Sequence, residues 1–197
     1  MQKTDQLSKT TKRGFRLTLP EKLSQEVQEV FDWYVENYKF VPNLSRVMSE
    51  APALLRSYWQ TQLNLMQMGT LTPEENNVVQ MSIAVENKCR YCASGHIMAG
   101  RMVFGSSEEV MANIIAESSL PEAKLNALRD FALAVYEGRG RVSDETLGNF
   151  KSAGYSNAQA LDVVTNISTK VMSNFTNQLT NNELDEVLEP LTDGLNF

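Results

Sequence analysis

The sequence predicts an all-α fold, and three observations carry that reading. Apolar residues recur at three- and four-residue intervals along most of the chain. Ser or Thr followed by acidic residues marks repeated helix starts, and Gly marks their ends. No period-2 strand pattern and no Asn-Gly hairpin interrupts them. Roughly eight helices joined by short capped turns follow from these signals. The 197 residues read as an N-terminal arm, residues 1–16, and one all-helical domain, residues 17–197.

In the arm, Lys3, Lys9, Lys12, Arg13 and Arg16 lie on no clear apolar face, so it reads as a solvated segment. Leu17-Thr18-Leu19-Pro20 is extended. Leu23, Val27, Val30, Phe31, Tyr34 and Val35 then form one helical stripe, which stops near Val41-Pro42 because a residue before proline avoids the α region. Leu44–Ser49 is a short helix. Pro52 opens a longer one that ends at Gly69. Thr72-Pro73-Glu74-Glu75 supplies an N-cap, a first-position proline and first-turn acids. That helix breaks at Asn87-Lys88, and the next begins near Cys89 and runs to Gly105. Ser106-Ser107 caps another. Leu120-Pro121 opens the one that ends at Gly138. Ser143 caps a short helix, and Ser156 caps the last long one, with Ala160, Val163, Val164, Ile167, Val171 and Phe175 as its apolar stripe. Leu184, Val187, Leu188 and Leu191 form a short apolar pattern in the tail.

Composition narrows the function classes. A net charge of -6 argues against a general nucleic-acid binder, and no apolar run spans a membrane. The N-terminus lacks an apolar signal core, so the expected setting is cytoplasmic and reducing. Two cysteines three residues apart there point to redox chemistry or metal binding before a structural staple.

Both cysteines and the only histidine lie in Glu86-Asn87-Lys88-Cys89-Arg90-Tyr91-Cys92-Ala93-Ser94-Gly95-His96. On one continuous helix Cys89, Cys92 and His96 fall at roughly 0°, 300° and 340°, on a single stripe. Cys92 is one turn from each of the others, whereas Cys89 and His96 lie about 10.5 Å apart along the axis. That asymmetry makes Cys92 the thiol activated by the imidazole and Cys89 the thiol that resolves it. Three readings compete. The trio can be ordinary core packing. It can be part of a zinc site, although three ligands fall short of the usual four and no other Cys or His completes the set. It can be a redox dithiol, with Cys92 attacking a hydroperoxide to give a sulfenic acid that Cys89 closes to a disulfide.

At these residues the sequence resembles the alkylhydroperoxidase D-like, carboxymuconolactone decarboxylase superfamily. The shared pattern is a glutamate on one helix, then Cys-x-Tyr-Cys-x-x-x-His at the start of the next. The resemblance covers roughly residues 50–105. It implies an AhpD-like helical bundle with the dithiol at the N-terminus of a central helix, and a homo-oligomer, trimeric or hexameric. It also implies hydroperoxide reduction with no haem or metal, in antioxidant defence. Cys92 is then peroxidatic, Cys89 resolving, and His96 part of the proton relay, with Tyr91 matching the tyrosine of some members. The reductant would be a dithiol, such as a lipoyl carrier or a thioredoxin-like protein.

The family's relay glutamate, twelve residues before the first cysteine, corresponds here to Asn77. Glu86 is the favoured carboxylate, since it joins the cysteine stripe if the turn stays helical, and Glu75 is the second candidate. Thr-Pro-x-Glu with Glu-Asn-x-Cys looks like a peroxidase-related branch. The alternatives are a non-catalytic sensing or assembly module with a vestigial dithiol, and a decarboxylase-like enzyme. Met66, Met68, Met81, Met98 and Met102 read as core packing around the motif. Asn166, Asn174 and Asn177 read as oligomer contacts or plain surface.

Overall fold

A computed structural model of the chain describes residues 22–197. The arm expected over residues 1–16 and the extended stretch at Leu17–Pro20 lie outside the described residues. Among the described residues there are nine α-helices and no strand. They are α1 (Gln25–Tyr38), α2 (Asn43–Met48), α3 (Pro52–Met68), α4 (Pro73–Glu86), α5 (Arg90–Ala99), α6 (Glu108–Ile115), α7 (Ala123–Glu137), α8 (Asp144–Ser152) and α9 (Asn157–Thr180). A π-helical turn, Gly100–Phe104, extends α5, and a 3-10 turn, Glu186–Leu191, follows α9. None of these helices is long and apolar enough to cross a membrane.

The caps explain most boundaries. Ser24, Ser107, Ser143 and Ser156 each accept from the backbone N–H three residues on. Thr72 and Glu75 cap each other reciprocally, as do Ser156 and Gln159. Each such cap stabilises its helix by about 1 kcal/mol. α7 departs from expectation: it starts at Ala123, two residues past Pro121. The Leu120 N–H is instead taken by the Asn126 side chain at 2.9 Å, so Leu120-Pro121 forms an approach loop.

α4 is the central element. Every residue from Glu75 to Val85 is buried, because α5, α6, α7 and α9 surround it. A helix wrapped on all sides needs no apolar stripe, which is why its pattern is nearly continuous. Its apolar residues join different clusters. Ala84 packs with α1, α2 and the dithiol; Val78, Met81 and Val85 pack with α6; Val79 packs with α7 and α8. Each such Val or Met contributes about 1.5–3 kcal/mol of burial.

α9 keeps only part of its expected apolar stripe inside: Val163 is buried, and Ala160 and Ile167 pack against the same cluster. The rest of its buried face is polar: Asn166, Thr169, Lys170, Ser173, Asn174, Asn177 and Thr180. Val164 and Phe175, two members of the apolar stripe, are exposed instead, together with Leu161 and Leu179. The reason lies in what α9 meets. It crosses α3, α4 and the start of α5, whose facing residues carry amides, an imidazole and thiols, and a polar stripe satisfies them. The methionines are likewise divided. Met81 is core and Met98 packs against the dithiol cluster, but Met66, Met68 and Met102 are exposed.

Candidate active site

The site is built where α4 stops and α5 starts. α4 ends at Glu86, Asn87 caps it, and Lys88 adopts a left-handed φ of 51°. A non-glycine residue there costs about 1–2 kcal/mol, so the turn must be held by its neighbours. Asn87 does this from inside. Its Nδ2 donates to the Ile83 carbonyl at 2.9 Å and to Asn174 Oδ1 at 3.1 Å, and its Oδ1 accepts from the Tyr136 hydroxyl at 2.6 Å. α9 holds the turn from outside: Gln178 Nε2 donates to the carbonyls of Asn87 and Lys88, both at 3.0 Å. The turn delivers Cys89 as the N-cap of α5 and Cys92 into its first turn. There the helix dipole favours a thiolate.

Both cysteines are free and buried, Cys89 2% and Cys92 4% exposed. They share one donor: Asn177 Nδ2 lies 3.2 Å from Cys92 Sγ and 3.9 Å from Cys89 Sγ. Their acidities diverge. For Cys92, burial works against the thiolate, but the Cys89 thiol, the Lys170 ammonium, Ser173 and Asn177 together outweigh it and lower the pKa. For Cys89, the hydrogen bond to Cys92, burial and the Cys92 charge all push the thiol well up. The surroundings of Cys92 thus favour its thiolate, and Cys89 is the thiol placed to donate to it.

His96, 8% exposed, uses both ring nitrogens. Nδ1 meets Asn77 Oδ1 at 2.8 Å, and Nε2 meets Lys170 Nζ at 2.7 Å. Asn77 gives its own Nδ2 to Ser106 Oγ at 3.0 Å, so its oxygen must accept from His96. Burial first, and then the Lys170 charge, hold the imidazole well below its ordinary value of 6.5, in the neutral form. The position matching the family glutamate is thus a neutral amide that contacts His96 directly.

The two glutamates take other places. Glu86 is exposed and sits before the left-handed turn; because the backbone does not continue as a helix, the stripe expected to join it to the cysteines does not form. Glu75 is buried on the opposite side of α4's first turn. Its carboxylate accepts from the Thr72 N–H at 2.9 Å and pairs with Lys124 at 2.9 Å. Burial alone would raise its pKa, but these partners lower it on balance. Tyr91 is a clasp: its hydroxyl donates to Asp185 Oδ2 at 2.5 Å and accepts from the Leu44 N–H at 3.2 Å. Among the described residues no group of three or more His, Cys, Asp or Glu is disposed to hold a metal ion.

Reading the sequence misses Lys170 and the inward role of Asn177. Asn166, Asn174 and Asn177 are buried within the chain: Asn166 bonds Asn76 at 2.8 Å and Gln80 at 2.7 Å, and Asn177 meets the sulfurs. One signal points to them. Asn166, Lys170, Ser173 and Asn177 are spaced 4, 3 and 4 apart, a polar stripe at helical period.

Residues 52–136 match the family described as the carboxymuconolactone decarboxylase family. No functionally curated protein matches the chain. Among solved structures, the chain is similar to an alkylhydroperoxidase AhpD core protein, an uncharacterized peroxidase-related protein from Ralstonia eutropha JMP134. The identity is 19%, over 88% of this chain and 93% of that one, with a TM-score of 0.77. An uncharacterized peroxidase-related protein from Silicibacter sp. TM1040 aligns at 19% identity over 89% and 93%, with a TM-score of 0.74. The debrominase Bmp8 aligns at 16% identity over 90% and 95%, with a TM-score of 0.70. These likenesses establish a shared fold.

Proposed function

We propose that this chain is a thiol-dependent peroxidase of the alkylhydroperoxidase D-like, carboxymuconolactone decarboxylase superfamily, a reading supported by the family match over residues 52–136 and by the shared fold. The observation that carries the reading is the unequal sharing of Asn177 by two sulfurs, 3.2 Å to Cys92 and 3.9 Å to Cys89. The Cys92 thiolate attacks the terminal oxygen of a hydroperoxide, the O–O bond breaks, and Cys92 becomes a sulfenic acid. The Cys89 thiol then attacks that sulfur, water leaves, and a disulfide forms. An external dithiol restores both thiols. His96, neutral and bonded on both nitrogens, orients the groups that carry the proton. Glu86 takes no part in this scheme, since the helix that would aim it at the sulfurs ends before them.

The wall over the sulfurs is apolar and aromatic, with Tyr34, Leu44, Met48, Leu55 and Tyr58 in the same cluster. A hydroperoxide reaches Cys92 when that wall opens locally, and an alkyl peroxide suits it better than hydrogen peroxide. The test is peroxide consumption with several dithiol donors on wild type, Cys92→Ser and Cys89→Ser. We expect Cys92→Ser to abolish turnover, Cys89→Ser to accumulate a trappable sulfenic acid, and wild type to form the Cys89–Cys92 disulfide. Full activity in Cys92→Ser rules the reading out.

Burial of both sulfurs favours a second reading, a non-catalytic module whose dithiol is a packed core pair. It requires Cys92 to titrate as an ordinary alkaline thiol, whereas the peroxidase reading requires a thiolate at neutral pH.

A further inference from the structure

A buried lysine stands in the middle of this thiol chemistry. Lys170 is 2% exposed, and a buried ammonium must either find an anion or give up its proton. The ion pairs among the described residues run from Arg56 to Glu29, Arg101 to Glu108, Lys124 to Glu75 and Arg129 to Asp130, and none reaches Lys170. Its Nζ donates to His96 Nε2 at 2.7 Å. The ring is fixed in that orientation, because Nδ1–H is spent on Asn77 Oδ1. His96 therefore offers Lys170 a lone pair and no charge. Lys170, Ser173 and Asn177 share one buried face of α9, Asn177 touches Cys92, and the Lys170 charge is among the influences that favour the Cys92 thiolate.

We propose that Lys170 holds the proton of the Cys92 thiol, so that the reduced site is a buried Cys92 thiolate–Lys170 ammonium pair and oxidation of the dithiol removes that proton from Lys170. The peroxidase reading supplies only the oxidant; the pair itself does not depend on it. The steps balance. The thiolate attacks the terminal oxygen of the hydroperoxide, the O–O bond breaks, and the departing alkoxide takes a proton from Lys170, leaving a neutral amine. Cys89–SH and Cys92–SOH then give the disulfide and water. Reduction by an external dithiol returns one thiol proton to Lys170 and restores the pair. Oxidation thereby discharges thiolate and ammonium together, which avoids stranding an unpaired charge in the core. His96 is a positioning residue here, directing the Lys170 amine.

The titratable groups that interact with this pair are Cys89, His96 and Tyr91 from the α5 segment and Tyr58 from α3. Burial raises both tyrosines well above their ordinary value, so they stay neutral. No charged side chain of α2, α4 or α7, the other helices packed on α9, pairs with Lys170.

The test is thiolate ultraviolet absorbance against pH, taken as the difference between each protein and its Cys92→Ser counterpart. Wild type is expected to titrate below the ordinary thiol value of 9.0. Lys170→Met is expected to raise the midpoint by at least about one pH unit, a roughly tenfold smaller thiolate fraction at neutral pH. Lys170→Arg keeps the charge but does not release a proton. It is expected to keep the low midpoint while hydroperoxide turnover falls at least about tenfold. An unmoved midpoint in Lys170→Met overturns the pair, and undiminished turnover in Lys170→Arg overturns the proton release. Should Lys170→Met fail to fold by circular dichroism, Lys170→Gln decides the same question. A wild type that consumes no hydroperoxide yet shows a lysine-dependent midpoint removes the peroxidase reading and leaves the pair standing. In that case oxidation by a small aromatic disulfide should release more protons per dithiol from wild type than from Lys170→Arg, and equal counts overturn the release.

Discussion

Asn177 does for Cys92 what a free thiol cannot do for itself: it places an amide donor 3.2 Å from the sulfur in a site closed to water. A hydrogen bond to a charged acceptor contributes about 1.5–3 kcal/mol, or about one to two pH units of thiol acidity. Asn177→Ala should raise the Cys92 midpoint by that amount and slow hydroperoxide reduction in proportion; an unchanged titration removes Asn177 from the site. His96 makes a separate prediction on stability. Its folded pKa lies well below 6.5, through burial and then Lys170, so the unfolded chain takes up a proton that the folded one refuses. Its stabilising contribution is complete above 6.5 and lost as pH falls through the folded value, at up to about 1.4 kcal/mol per pH unit. The lowered Cys92 thiol adds a slope of the same sign, beginning at its unfolded value of 9.0. Denaturant titrations from pH 8 to about 5 separate them: His96→Gln should flatten the curve below 6.5 only, and Cys92→Ser above it as well. Cys89, Cys92 and His96 were legible in the sequence because they sit within one eight-residue window. Lys170 was not. It lies 74 residues from the imidazole it contacts, and a lysine inside an amphipathic helix reads as solvated until the fold shows which face turns inward.

Helix boundaries were legible wherever a cap carried the signal: Thr72, Ser107, Ser143 and Ser156 all begin their helices as read. The break at Asn87-Lys88 was legible too, but not its consequence for Glu86, since a left-handed residue redirects the chain in a way periodicity does not register. The junction of α5 with its π-helical turn was not legible at all. Gly100 lies there in ordinary helical geometry, so an alanine would suit the backbone and gain up to about 1 kcal/mol of helix propensity. Space decides otherwise. A Cβ at Gly100 would stand 2.6 Å from Met111 Sδ and 2.9 Å from Asn77 Nδ2. Met111 is flexible and can withdraw, but Asn77 is tied to both Ser106 and His96. Gly100→Ala should therefore destabilise by about 1–3 kcal/mol despite its better propensity, and should shift the His96 ring resonances by NMR. A stabilised variant with an unshifted imidazole would show that α4 and α5 are not in tight register at this glycine.

Across the whole molecule α9 presents two unlike faces, and the unusual one is outward. Beyond Val163, Ala160, Ile167 and Met172, which pack into the core clusters, its inner face is given to amides, hydroxyls, Lys170 and the sulfurs, and the remaining apolar residues turn outward. Leu161, Val164, Phe175 and Leu179 stand 70%, 50%, 51% and 59% exposed along one side of the helix. They span about 27 Å at 1.5 Å per residue. Thr70 bonds Asp162 through its N–H at 2.5 Å, which brings the end of α3, with exposed Met66 and Met68, beside the start of this stripe. Monomeric proteins seldom leave apolar surface of that extent in water, and covering each Leu or Phe would contribute about 1.5–3 kcal/mol. A second copy of the chain would cover this stripe from outside, while the site is built on the inner side of α9. Wild type should then sediment as an oligomer at micromolar concentration, and its melting temperature should rise with protein concentration, because association stabilises only the folded chain. Phe175→Glu combined with Leu179→Glu should leave a monomer whose melting temperature is lower and independent of concentration. The Cys92 thiolate titration should stay within about half a pH unit of wild type, because Lys170, Asn177 and His96 come from the same chain as the sulfurs. A wild type that sediments as a monomer would mean the stripe is bare in solution. A double variant that keeps its oligomer would place the contact elsewhere on the surface.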